Sequence, residues 1–60
     1  MIAITVSMNN RGDHWLCAIY PQQFCYTFDG IGETKQEAYK NAVKLFEQNG
    51  FSIKECIVVG

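Results

Sequence analysis

His14 is the one side chain whose ordinary titration range lies near neutral pH, so it is the one candidate for a general base. Its neighbour is Asp13. Adjacent positions on a strand point to opposite faces, so the two do not read as a catalytic dyad. Sequence places no Ser or Cys beside His14 to act as a nucleophile. Cys17, Cys25 and Cys56 are three in number and cannot all pair within the chain. There is no C-x-x-C, and a single His cannot complete a familiar zinc pattern, so neither a metal nor another cofactor is expected. The cysteines read as small hydrophobes in a reducing cytoplasm. Gly30-Ile31-Gly32 precedes a helix but is too short for a phosphate-loop fingerprint, and turn chemistry accounts for it. Trp15, Tyr20, Tyr26 and Phe28 have the types that stack on bases. No Lys or Arg is interleaved with them, which favours a core. The chain reads as a non-enzyme.

Composition sets the frame for these residues. Sixty residues make one domain, spanning 1–60, and such a chain buries only about 60% of its unfolded surface. Hydrophobic residues are 48% and aromatic residues 13%, enough for a small core and more than one helix on one sheet readily hides. The formal net charge of −1 lacks the basic balance of a nucleic-acid binder. It is also too small for an acidic mimic of DNA. No secretory leader follows Met1 and no apolar run approaches the ~18–20 residues of a membrane span, so a cytoplasmic location is expected.

The elements follow from periodicity. Ile2, Ile4, Val6 and Met8 alternate with Ala3, Thr5 and Ser7, the period of two of a half-buried strand. Asn9-Asn10-Arg11-Gly12-Asp13 is a polar loop with a glycine, which predicts a hairpin. His14 to Tyr20 is the second strand, apolar on both parities, and Pro21-Gln22-Gln23 ends it. Phe24 to Asp29 is expected as the third strand, and Gly30-Ile31-Gly32 as the turn into a helix. Thr34 followed by Glu37 is a capping box: the Thr hydroxyl accepts from the Glu37 N–H, and the Glu37 carboxylate reaches back to the N–H of Thr34. Ala38, Ala42, Leu45, Phe46 and Asn49 form the apolar stripe, widened by Tyr39 and Val43. Lys35, Lys40, Lys44 and Glu47 occupy the wet face. Asn49-Gly50 stops the helix, with Phe51 placed to touch Phe46. Ile53 to Val59 is the last strand. The fold class is α+β: an antiparallel sheet in the order βββαβ with one helix packed on one face.

One helix covers only one face of such a sheet, so one residue set of the second strand must lie on the other. Pairing Met8 with His14 sends Leu16, Ala18 and Tyr20 to the core. Trp15, Cys17 and Ile19 then lie on the open face with Ala3, Thr5 and Ser7. A one-residue slip exchanges the two sets and makes Tyr20 the anchor. Trp15, Cys17, Ile19 and Tyr20 are therefore the candidate residues for binding a protein partner or a second copy.

Two family resemblances enter through the helix. Gly32, Glu33, Thr34, Glu37, Ala38, Asn41 and Ala42 resemble the Gly-Asp-Thr-x-x-Glu-Ala-x-x-Asn-Ala motif of the HicB-like antitoxin fold, a βββαβ unit. Tyr20-Pro21 and Cys25 fall near that family's strand-ending Pro and Gly-Cys pair, and Gln22-Gln23-Phe24 departs from its Leu-Pro-Gly. The resemblance implies a toxin-holding or dimerising domain, without the DNA-binding segment that members carry after it. Gly30, Gly32, Thr34, Lys35 and Ala38 are similar to the last helix of double-stranded-RNA-binding domains. Gln36 and Tyr39 replace two phosphate-contacting lysines there, and the initial helix of that family is missing. The resulting expectation is a small non-catalytic inhibitor that occludes a protein partner, encoded by a phage or mobile element, with a host defence complex as one target. The alternative is a degenerate RNA-binding domain.

Overall fold

The computed structural model describes residues 1–59. The chain runs β1 (Ile2–Asn10), β2 (Trp15–Pro21), β3 (Phe28–Gly32), α1 (Lys35–Gln48), a 3-10 turn (Ile53–Glu55) and β4 (Cys56–Val58). This is an α+β fold with a four-stranded sheet and one helix, in the order βββαβ. The strands lie side by side as β3-β2-β1-β4.

The sheet is mixed rather than wholly antiparallel, because β4 runs parallel to β1. The chain's path requires this. β3 runs antiparallel to β2 and β2 antiparallel to β1, so β3 and β1 share a direction. The helix carries the chain back across the sheet, and the next strand repeats the direction of β3. It lands beside β1, where Val59 N–H donates to the Ile4 carbonyl at 2.8 Å.

The β1–β2 register differs from the sequence expectation. Met8 lies opposite Cys17 and Asn10 opposite Trp15, not Met8 opposite His14. The reason is the loop. Arg11 N–H donates to the His14 carbonyl at 2.9 Å, Gly12 takes a positive φ of 95°, and Asn10 Oδ1 accepts the Gly12 N–H at 2.8 Å. These bonds close a turn over Arg11–His14, after Asn10 and before Trp15. The pairing moves by an odd number of residues, so the two residue sets of β2 exchange faces. Cys17 and Ile19 are fully buried beneath the helix with Ile4, and Trp15 is half-buried on the same side. None of these three lies on the open face. Tyr20 does.

β3 begins later than the sequence suggests, and Gly30 and Gly32 belong to it. Phe24 and Tyr26 leave the sheet and join Phe28, Phe46 and Phe51 in an aromatic cluster. Phe24 meets Phe51 edge-on at 5.2 Å between centroids, and Phe46 stacks on Phe51 at 4.9 Å. The glycines serve close approach, not a turn. A Cβ on Gly30 would run into the backbone of Ala38 and Ala42, and one on Gly32 into that of Glu37 and Ala38. The helix therefore lies almost on the backbone of β3, with Ala38 and Ala42 as its contact residues and both fully buried. Phe46 fills the far end. The core so formed is Ile4, Cys17, Ile19, Phe28, Ala38, Ala42 and Phe46.

The helix ends follow their sequence signals. Thr34 Oγ1 accepts from the Glu37 N–H at 3.1 Å. Gly50 sits at φ 93° after Asn49, and its N–H donates to the Glu47 carbonyl at 3.1 Å. The last strand is short, because the 3-10 turn consumes Ile53–Glu55 before β4 begins. No helix among the described residues is long and apolar enough to cross a membrane.

Candidate functional site

Alternation along the strands defines two faces. The face away from the helix carries Ala3, Thr5, Ser7 and Asn9 from β1, Leu16, Ala18 and Tyr20 from β2, Asp29 and Ile31 from β3, and Ile57 from β4. Tyr20 is 41% exposed, Ile31 57% and Ile57 47%. Leu16 and Ala18 are half-buried only by their neighbours on the sheet. Asp29 is the one charged side chain in the strand positions of this face. Gln22 Nε2 and Thr5 Oγ1 lie 3.5 Å apart at one end of it. The described residues form no pocket, so the candidate site is a surface, and this face carries three of the large exposed hydrophobics.

Of the four residues expected to bind a partner, the structure brings one to this face. Tyr20 projects from it, while Cys17 and Ile19 are core. Trp15 lies on the helix side, with Lys35 Nζ 4.9 Å from its ring centroid, a cation–π contact that occupies this lysine. Sequence reasoning missed Leu16, Ile31 and Ile57 as surface residues. Ile31 was legible in principle, since it alternates with two glycines, but only once Gly30-Ile31-Gly32 is recognised as strand.

The residues with chemical potential are dispersed. Asp13 and His14 do meet, Oδ1 to Nδ1 at 2.6 Å. They can do so because they lie in the hairpin loop rather than in a strand, where neighbours would diverge. The hydrogen bond to His14 is the main reason that the Asp13 carboxyl is held below its usual range, aided by its own backbone N–H and by the charge of His14. Both side chains stand at the solvent-facing tip of the hairpin. No group of three or more His, Cys, Asp or Glu among the described residues could hold a metal ion. Burial, then the charge of Asp29, pushes the Cys17 thiol up. Burial, then Glu55, does the same for Cys56, whose thiol donates to the Ser52 carbonyl at 3.3 Å. Cys25 departs from the expected buried role and is exposed on the loop before β3.

The helix motif has a complete mechanical account. Thr34 caps the helix, and Ala38 and Ala42 admit the close approach to Gly30 and Gly32. Asn41 Nδ2 donates to the Ile31 carbonyl at 2.6 Å, and Glu37 Oε1 accepts the Glu33 N–H at 3.1 Å. The Glu37 carboxylate thus reaches one residue further back than a capping box requires. Asn41 thus occupies one outward carbonyl of the edge strand β3, and Glu37, one turn earlier, holds the backbone N–H just beyond that strand. Every motif position therefore serves the seam between strand and helix. No family model, curated protein or solved structure matches the chain.

Proposed function

We propose that this protein is a non-catalytic protein-interaction module. In this reading it is an inhibitor similar to the partner-binding half of an HicB-like antitoxin, and it acts by occluding a protein partner. A phage or mobile element is the setting that suits such a chain, and a host defence complex is one target class. The observation that carries the reading is the open sheet face. Leu16, Ala18, Tyr20 and Ile31 put apolar side chains on neighbouring strands of this face, Ile57 adds one beyond the small residues of β1, and a single charged side chain stands among the strand positions. Exposed apolar side chains grouped on one face mark association surfaces.

The test is reconstitution. Partners are recovered with the tagged protein, identified by mass, purified and titrated against wild type, Tyr20→Ser and Ile31→Asp. The reading expects a defined partner whose affinity falls about 100-fold in either variant, the scale of losing a central anchor. A partner bound equally by both variants refutes the face. Mobility shifts with double-stranded RNA at two salt concentrations address the other class. Tight, salt-sensitive RNA binding that Lys40→Ala and Lys44→Ala weaken would replace the reading with nucleic-acid recognition.

A further inference from the structure

Asn49 and Gly50 end the helix, and they are the chain's one Asn-Gly pair. We infer that this pair is a site of spontaneous covalent modification, held shut by the packing of Phe51, whose product loosens the helix end.

The chemistry needs only the chain and water. The Gly50 amide nitrogen attacks Asn49 Cγ and gives up its proton to solvent. The Cγ–Nδ2 bond breaks and ammonia leaves, which closes a succinimide ring. Water then opens the ring at either carbonyl. One opening leaves an aspartate in place of the asparagine. The other routes the main chain through the former side chain, as isoaspartate. Glycine at the second position favours attack, because it has no side chain to shield the nitrogen. Asn49 is exposed, so water reaches the ring.

The fold blocks each part of this reaction. Asn49 Nδ2 donates to the Leu45 carbonyl at 2.8 Å, which holds the side-chain amide back along the helix. The Gly50 N–H donates to the Glu47 carbonyl at 3.1 Å, so the nucleophile is engaged. Ring closure also brings the Gly50 nitrogen round the Cα–C bond to the side of Cβ. The ψ of 12° at Asn49 keeps it well away. Turning that bond swings the chain from Gly50 onward, and Phe51 resists. Phe51 stacks on Phe46 at 4.9 Å and meets Phe24 and Phe28 edge-on at 5.2 Å and 5.8 Å. The modification rate therefore follows the opening of this aromatic contact.

The product favours the open form. An aspartate cannot donate to the Leu45 carbonyl, and it sets a negative charge against the carbonyl end of the helix. The last turn carries Glu47 and no Lys or Arg to offset it. Isoaspartate adds a methylene to the main chain between Phe46 and Phe51 and displaces their stack. Ammonia is lost, so the change is not reversed.

The test incubates the full chain at mildly alkaline pH, folded and in denaturing urea. The peptide holding Asn49 is followed by mass and by chromatographic separation of its aspartate and isoaspartate forms. Isoaspartate should accumulate at this position at least about tenfold faster in urea than in the folded protein, a gap set by the opening equilibrium. Phe51→Ala should close most of the gap. Phe51→Leu, which keeps an apolar side chain to support folding, should close part of it. Asn49→Gln, whose longer side chain closes a larger ring, should stay unmodified. The modified protein, separated by charge, should unfold at lower urea than its parent. Equal rates in the folded and unfolded chain overturn the inference. So do aspartate without isoaspartate, a folded Phe51→Leu that reacts no faster than wild type, or a modified protein with an unchanged midpoint.

Discussion

The covered face and the open face of the sheet are built from the same strands, yet they tolerate change very differently. On the covered face, contact is between backbones. Gly30 and Gly32 leave no side chain between β3 and α1, and Ala38 and Ala42 add only a methyl each. On the open face, contact is between side chains and solvent. Bulk is harmful on the first face and is what the second displays. The small residues are therefore the most informative ones about the fold, and the large exposed ones about association.

The largest expected effect comes from breaking that contrast at its tightest point. Gly30→Val would drive two methyl groups into the backbone of Ala38 and Ala42, where no flexible side chain can yield. The loss should be at least about 3 kcal/mol, enough to unfold a domain this small. Urea denaturation followed by circular dichroism reads it. A folded Gly30→Val with a near-normal midpoint would mean that the helix can lift from β3, and the seam would not be backbone on backbone.

Two adjacent residues of β2 sharpen the comparison. Ile19→Ala empties a fully buried site under the helix and should cost about 2–4 kcal/mol. Tyr20→Ser changes the open face and should alter monomer stability by less than about 1 kcal/mol, while removing association. Denaturation midpoints and sedimentation on the same two variants give both quantities. Equal stability losses would show that the two parities are not divided as described.

The parity of β2 was the part of the fold that sequence left open. Both of its residue sets are apolar, so composition does not choose between them, and the choice passes to the hairpin loop. Whether Asn9 and Asn10 are strand or turn depends on the Asn10 side chain accepting from Gly12 and on the positive φ there, which polarity alone does not reveal. β3 was misplaced for a related reason. Gly-x-Gly has the composition of a turn, and its strand role appears only when the helix backbone is seen against it. The cap at Thr34, the stop at Gly50 and the Phe46–Phe51 contact were legible because they are local, set within a few residues of chain. The site inherited the error in register: Tyr20 was among the candidates, but Leu16, Ile31 and Ile57 were not.

The seam between strand and helix carries smaller terms. Thr34→Ala removes the acceptor of the Glu37 N–H and should cost about 1 kcal/mol. Asn41→Ala frees the Ile31 carbonyl at the edge of β3 and should cost about 0.5–1 kcal/mol. The second change also leaves one more carbonyl unpaired on an edge strand, so a rise in aggregation on heating should accompany it. Thermal melts with light scattering distinguish the two variants: both lower the midpoint, and Asn41→Ala alone scatters. If Asn41→Ala neither melts earlier nor scatters, its bond does not guard the edge.

The smallest effect belongs to neither face. Asp13 and His14 stand at the hairpin tip, with the carboxyl held below its usual range chiefly by its hydrogen bond to His14. A carboxyl whose folded pKa is lowered contributes stability above its unfolded value, near 3.8, and that contribution disappears as pH falls through the folded value. The stability of wild type should therefore decline on acidification below about pH 4, and Asp13→Asn should flatten part of that decline. Above about pH 5 the carboxylate is ionised, so its own titration adds no further slope there. The pair is exposed, so salt should shrink the difference between the two acid limbs. Urea midpoints measured from pH 2 to 7 at low and high salt give the comparison. Identical acid limbs would mean that the bond is not held in solution. A change in the mass of the assembled protein, in contrast, would tie the hairpin tip to association, which the geometry of the open face does not require.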